Sequence, residues 1–484
     1  MTDERAGGRA LIPRIVATPI APLEPPARAP RPRPIARDVL ASVLPGPGRD
    51  RLAQGEVLVV TTGQQPALFT GPLYTFHKAL SAIALAQRLE RERGVPVVPV
   101  FWVAGDDHDF AEANHAWVLG ADGEPVKIVL RERPHEAPQL PLFRERCGAE
   151  IAAALDALKA ALPDSEFRSA ALAWLEQSYR SENNLADAAA EAINATLASR
   201  GLAVFRAHDR SAKRAAAPWL LRGLGETLDD GLTPVLVEGR LGRDRLRRDG
   251  GDFVTRRGGE RFTRAQLEQI AAAAPERLSP NVLLRPLIEA ALFPTVAYVG
   301  GPGEMEYLPE SAPLFSRLGV APQAHIPRWS GLILESRVEK VLSKHGLTPD
   351  DFAGPPGALE ARLARADLPP DLATGLATLR AELESRYAAI GNAVQHVDPT
   401  LERTVQSARN AALAGTHEIE KKLVASLKRT ETTAAGQLAR ARAALMPLGQ
   451  PQERVLTIAS FLARYSAGLL DEIAAQVARW AAGL

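Results

Sequence analysis

Three stretches of this chain gather reactive side chains at the ends of apolar runs. The first is TTGQQPALFTG at 61–71, followed by His77 and Lys78. Glycines let backbone N–H groups approach an anionic ligand, and a helix start just beyond them favours negative charge. Thr62, Gly63, Gln64, Gln65 and Gly71 therefore read as an anion-binding loop, with His77 and Lys78 in the first turns of the next helix. The stretch has neither the lysine spacing of a P-loop nor a GxGxxG. A tight turn would explain the glycines but not two adjacent glutamines.

The second stretch is GDDHDF at 105–110. Crowded acids resist joint ionisation, so three aspartates and a histidine together call for a reason. Asp109 with Glu112 fits a helix capping box. Asp106, Asp107 and His108 have no such account, and they are the groups able to take a proton from a nucleophile or hold a ligand. Zinc is disfavoured, because the nearest second histidine is His115 and no cysteine is close. Mg2+ held through phosphates needs only one or two carboxylates and stays open.

The third stretch, RPLIEAALFPTVAYVGGPGEMEYLPE at 285–310, ends an apolar run in Gly300, Gly301, Pro302, Gly303 and Glu304. Arg285, Tyr298, Glu304 and Tyr307 add charge and hydrogen bonds, although a turn with a capping glutamate would also explain Glu304. Arg328, in the PRWS at 327–330, could bind a carboxylate or phosphate. A surface arginine fits the sequence equally well. His208, His345, His396 and His417 read as surface or helix histidines, and Cys147 as incidental.

The elements that must position these groups follow from periodicity. Val57–Val60 and Val97–Val103 read as buried strands around a helix pattern carrying Leu80, Ile83, Leu85 and Leu89. This βαβ unit puts both polar loops at the carboxyl ends of strands, where open parallel sheets bind ligands. Further strand candidates are 202–206, 234–238, 294–299 and 323–327. A helical stretch covers about 148–199. A basic insert at 239–264 has a plausible hairpin at Gly258-Gly259. The expected organisation is a proline-rich leader over 1–50 and an α/β core over 51–350, with insertions near 145–200 and 225–280. A coiled-coil hairpin over 357–446 and C-terminal helices over 447–484, packing back on the core, complete it. The hairpin rests on a seam from Leu372 to Leu401, with Asp398-Pro399 starting its second helix.

Hydrophobic residues make up 46% of the 484, enough for a buried core. The net charge of +1 argues against a dedicated nucleic-acid binder. One cysteine excludes an internal disulfide framework and suits a reducing, cytoplasmic setting. No apolar stretch reaches membrane-spanning length.

Together the blocks TTGQQPALFTGPLYTFHKALSAIALA, PVFWVAGDDHDFAEANHA, RPLIEAALFPTVAYVGGPGEMEYL, PRWS and QERVLTIASFLARY resemble the bacillithiol-biosynthesis cysteine-adding enzymes. The resemblance implies a Rossmann-like parallel-sheet core akin to class I synthetases and nucleotidyltransferases, with helical insertions and a C-terminal antiparallel coiled coil, as a homodimer. It implies addition of cysteine to the amine of glucosaminyl-malate, with ATP or another nucleotide activating the carboxylate. Thr62, Gly63, Gln64, Gln65, Gly71, His77 and Lys78 would then bind the nucleotide. Asp106, Asp107 and His108 would be catalytic. Asp109, Tyr298, Gly300, Gly301, Glu304 and Arg328 would meet the substrate. A ligase for a different amine or amino acid shares every motif, and a nucleotide-binding coiled-coil scaffold is the alternative that leaves GDDHD without a purpose.

Overall fold

A computed structural model of the chain describes residues 14–17, 30–355, 357–430 and 432–483. Its centre is a five-stranded parallel sheet: β1 (Leu58–Gln64), β2 (Val97–Val103), β3 (Ala203–Arg206), β4 (Thr295–Gly300) and β5 (Ala324–Pro327). The spatial order is β5-β4-β1-β2-β3. Sheets covered on both faces select near-continuous apolar strands, and VVPVFWV of β2 is buried throughout. The first strand runs further than the four valine-rich residues suggest, because Thr61 and Thr62 extend the ladder between Tyr298–Val299 and Val100–Phe101. The helix α1 (Tyr74–Arg93) crosses from β1 to β2 and ends at Gly94, whose φ of 65° suits a residue without Cβ.

The chain builds outward from β1 through β2 to β3, then returns to the other side of β1 for β4 and β5. Strand order therefore reverses between β1 and β4. In open α/β sheets that reversal opens a crevice at the carboxyl ends.

The insertion expected near 225–280 is mainly strand rather than helix. Residues 235–239, 242–249, 252–255, 261–262 and 278–280 make a separate five-stranded antiparallel sheet. Alternation in GRDRLRRD, with Gly242, Asp244 and Leu246 turned inward, selects a strand there. Thus 234–238 does not join the parallel sheet. The helix α2 (Arg210–Gly223) precedes this sheet and α3 (Arg285–Leu292) follows it.

The expected leader also differs. Arg14–Ala17 is a strand paired antiparallel with Gly331–Leu334, and helices cover Arg37–Ala41 and Pro47–Ala53. The alternating, β-branched RIVA can dock at a sheet edge despite nearby prolines. Residues 18–29, which hold the first four prolines of the proline-rich stretch, lie outside the described residues.

Residues 1–336 and 450–484 form one compact unit and 337–449 another. In the first, the helix Gly468–Gly483 packs on α1. In the second, the helix Pro370–Val394 packs along Glu402–Thr430, and Thr432–Leu445 follows. The seam is split. Leu376, Leu383, Tyr387 and Val394 are half-buried, whereas Leu372, Leu379, Ile390, Val397 and Leu401 are exposed within the chain. No helix among the described residues is long and apolar enough to cross a membrane.

Candidate active site

A cleft of about 520 Å³ opens at the carboxyl ends of β1, β2 and β4. It contains Gly63, Gln64, Gln65 and Lys78 from the first motif, Asp106 and Asp107 from the second, and Tyr298, Gly301, Glu304 and Arg328 from the later blocks. Gly63 is required by its neighbours, since a Cβ there would lie 2.9 Å from the Trp102 carbonyl.

Six of the expected site residues do not line this cleft. Thr62 points into the sheet and donates to the Val299 carbonyl at 2.7 Å. His77 is 1% exposed, bonded through Nδ1 to Glu453 at 2.8 Å and set edge-on against Trp329. Gly71 caps a buried turn with its N–H on the Leu68 carbonyl. Asp109 caps the short helix Phe110–Ala113 by accepting from Glu112 N at 3.0 Å. His108 and Gly300 stand behind the lining. The helix-start reading therefore needs correction. The Leu73 N–H is taken by the Leu456 carbonyl, and those of Thr75 and Phe76 by Pro72 and Leu73. Phe69 and Thr70 adopt positive φ of 50° and 70°. The Tyr179 hydroxyl fixes this turn, accepting from Thr70 N and donating to the Ala67 carbonyl, both at 2.7 Å. The loop that reads as a phosphate cradle is largely a packed structural turn.

The acidic turn divides its roles. The Asp106 carboxylate pairs with Lys213 of α2 at 2.5 Å, and that lysine, 2% exposed, also donates to the Leu278 carbonyl. Asp107 Oδ1 accepts from the amides of His108 at 2.6 Å and Asp109 at 3.1 Å, leaving Oδ2 to the cleft. His108 Nδ1 lies 3.3 Å from the Arg243 guanidinium. Because arginine can only donate, Nδ1 accepts and a proton on this ring sits on Nε2. Burial, then Arg243, lowers the His108 pKa below the ordinary value. Its lone pair is engaged, so Asp107 is the better placed base. Glu112, across the turn, is raised by burial and by Asp109 and Asp107.

The cations of the opposite wall are each held by a carboxylate. Lys78 donates to the Gly63 carbonyl at 2.8 Å and pairs with Glu304. Burial opposes ionisation of Glu304, yet Lys78 and Arg285 hold its carboxyl below the usual range. Arg328 makes a two-pronged pair with Glu453, Nη1 at 2.9 Å and Nη2 at 2.6 Å. The same carboxylate accepts from Ser330 Oγ at 2.6 Å and Gly331 N at 3.3 Å. Arg285 reaches Glu289 at 3.3 Å and the Tyr298 hydroxyl at 3.1 Å. A Cβ on Gly301 would stand 3.7 Å from Lys78 Cε and 3.9 Å from Arg328 Nε, so this glycine leaves room between two cations.

Several lining groups escape the site reading of the sequence. Arg243, on the antiparallel insertion, is set by Ser279, Pro280 and His108. Tyr74 lies about one helical turn before Lys78, and its hydroxyl accepts from Gln64 Nε2 at 3.2 Å. Glu112 and Arg454 complete the mouth. Arg454 and Glu453 sit in the QERV block, whose partnership with PRWS is visible only in three dimensions. His208, expected at the surface, is 7% exposed and pairs with Asp187 at 3.1 Å. Among the described residues no group of three or more His, Cys, Asp or Glu could hold a metal ion.

Two family models match the chain. The bacillithiol biosynthesis BshC N-terminal Rossmann-like domain covers 49–230 and 236–329, and the BshC C-terminal coiled-coil domain covers 331–480. A Solibacter usitatus relative with the name "Putative cysteine ligase BshC" is 33% identical over 87% of this chain and 83% of its own length. The Salinibacter ruber protein of the same name is 31% identical over 88% and 81%. A Mycobacterium tuberculosis methionyl-tRNA synthetase in complex with methionyl-adenylate aligns over 87% of this chain and 93% of that one, at 14% identity and a TM-score of 0.25, which supports no inference. The parallel sheet, the cleft at its strand reversal and the two matched domains lead to one assignment: the chain belongs to the BshC family of bacillithiol biosynthesis.

Proposed function

We propose that this protein is a ligase that forms the amide bond between the carboxyl of cysteine and the amine of glucosaminyl-malate. The observation that carries the reading is the two-sided cleft, with a carboxylate turn facing cations at the strand reversal. A free carboxylate does not acylate an amine without activation, so ATP is the natural cosubstrate. Lys78, Arg285 and Arg328 supply fixed positive charge where its phosphates and the substrate carboxylates would lie. The neutral amine attacks the activated carbonyl, the activating group leaves with its electron pair, and Asp107 Oδ2 accepts the amine proton. Arg243 and the His108 Nε2–H polarise the same wall. Asp106 acts through Lys213 to hold the turn. Magnesium, if bound, would be held mainly by nucleotide phosphates, with Glu112 as the carboxylate within the cleft left to contact it.

The exposed seam residues Leu372, Leu379 and Ile390 favour a homodimer through the hairpin. Buried, reduced Cys147, whose thiol is pushed up to about 12 by burial, suits cytoplasmic function. Deletion of the gene tests the reading: the strain should accumulate glucosaminyl-malate and lack its cysteine adduct. Wild-type protein should restore the adduct and Asp107→Asn should not. Unchanged thiol content in the deletion strain would overturn the assignment.

A further inference from the structure

One carboxylate beside the cleft has no part in the scheme above. Glu289 of α3 is 0% exposed. Its Oε1 accepts from the Thr61 hydroxyl of β1, and its Oε2 faces Arg285 Nη1 at 3.3 Å. The other carboxylates behind the cationic wall have more donors. Glu453 takes Arg328 twice, Ser330, Gly331 N and His77. Glu304 takes Lys78, the Tyr298 hydroxyl and Gly301 N. Glu289 has one hydroxyl and one guanidinium contact for a fully buried charge.

Arg285 is the matching half. Its ring contact with Tyr298, 4.9 Å to the centroid, and its hydrogen bond to that hydroxyl aim the guanidinium into the cleft. Among the described residues its other carboxylate neighbour is Glu304, at 3.8 Å. Glu304 is already committed to Lys78. Whether Arg285 presents an uncompensated charge to the cleft thus depends on Glu289.

We infer that Glu289 is a positioning residue that acts through Arg285 to set how strongly the cleft holds an anionic group of its substrates, a carboxylate or a phosphate. The inference rests on the proposed substrate-binding role of the cleft. A neutral Glu289 leaves Arg285 free to pair with the ligand, while an ionised Glu289 competes for it.

Proton uptake lies in a useful range. Burial raises the Glu289 pKa to about 7, against the pull of Arg285 and Thr61. The surrounding groups are accounted for from each side. Glu304 of the helix Pro302–Tyr307 raises it further, and Lys78 of α1 lowers it. Tyr298 of β4 and Tyr307 face Arg285. His325 of β5 also stands within reach of Arg285, and burial, then Arg285, lowers its pKa. If the anion binds only the protonated form, affinity falls by up to about tenfold between pH 6 and pH 8.

The test compares wild type with Glu289→Gln, which keeps the shape and fixes the neutral state. Affinities for L-malate and for ATP are measured by calorimetry at pH 6 and pH 8. The ligand's own titration cancels in the ratio of wild type to variant. The expected result is an excess fall in wild type of several-fold to about tenfold for one of the two ligands, with Glu289→Gln binding as wild type does at low pH. Malate showing the excess assigns Arg285 to a substrate carboxylate, and ATP showing it assigns Arg285 to a phosphate. Thr61→Val guards against a misfolded variant: losing the hydroxyl donor should move the wild-type midpoint upward. Infrared spectra of the unliganded protein should show a protonated carboxyl band that disappears near neutral pH and is missing in Glu289→Gln. Binding of both ligands with no excess pH dependence overturns the inference and leaves the cleft reading standing. No such carboxyl band overturns it as well. Failure of either ligand to bind at any pH overturns both.

Discussion

Removing the Glu453 carboxylate should be among the most damaging single changes in the α/β unit. Glu453 is 7% exposed and Arg328 is 4% exposed, so neither charge can turn to water. Truncation to Ala leaves Arg328 buried without its two-pronged partner and also removes the acceptor for Ser330, Gly331 N and His77. Breaking a buried pair from one side typically costs about 3–5 kcal/mol. Glu453→Ala should therefore lose about that much in urea unfolding at pH 7, read by tryptophan fluorescence. Trp329, packed on His77, reports the site. Replacing both partners with Leu should recover much of the loss, because the unpaired charge goes too. Burial opposes ionisation of Glu453, but His77 and Arg328 hold its carboxyl well below the usual range. Its stabilisation is therefore present above the unfolded glutamate value, about 4.3, and fades as the pH falls below it. The gap between wild type and Glu453→Ala should narrow in acid. A loss under about 1 kcal/mol at pH 7, or a gap that widens in acid, would refute the reasoning.

Asp107→Asn should lower product formation by roughly 100-fold with little change in Tm, the usual worth of a positioned base. His108→Gln should have a smaller effect, because its Nδ1 is held by Arg243; an effect larger than that of Asp107→Asn would exchange their roles. Tyr179→Phe strands the Thr70 amide and should cost about 1–3 kcal/mol in denaturant unfolding; no loss would mean the turn does not depend on that hydroxyl. Light scattering should find a dimer at micromolar concentration, and Leu379→Glu with Ile390→Glu should give monomers. A monomeric wild type sinks the seam argument.

The strand ends were legible because apolar runs that stop at glycine and polar clusters announce a parallel sheet and its ligand edge. Asp106 and Asp107 follow from that alone, whereas Glu304 and Arg328 are matched as well by a capping glutamate and a surface arginine. Thr62 and His77 were misplaced because a loop position does not reveal which way a side chain points. Thr62 turns into the sheet, whereas Gly63 beside it opens to the cleft. His77 lies on the buried face of α1. In sequence Arg243 is one arginine of a basic insert, since nothing local says that an antiparallel strand returns to the sheet edge. Glu453 was hidden for the same reason. A buried arginine after β5 demands a counter-charge, but chain order cannot name one so distant.

Joining cysteine to glucosaminyl-malate in this cleft can be followed directly. The direct measurement incubates the purified protein with cysteine, glucosaminyl-malate and ATP, and follows the adduct and the nucleotide by mass spectrometry. The expected result is the amide adduct of cysteine with nucleotide cleaved in equal amount, and both reduced together in Asp107→Asn. A folded protein that forms no adduct while cleaving no nucleotide, or that forms it equally well in Asp107→Asn, contradicts it.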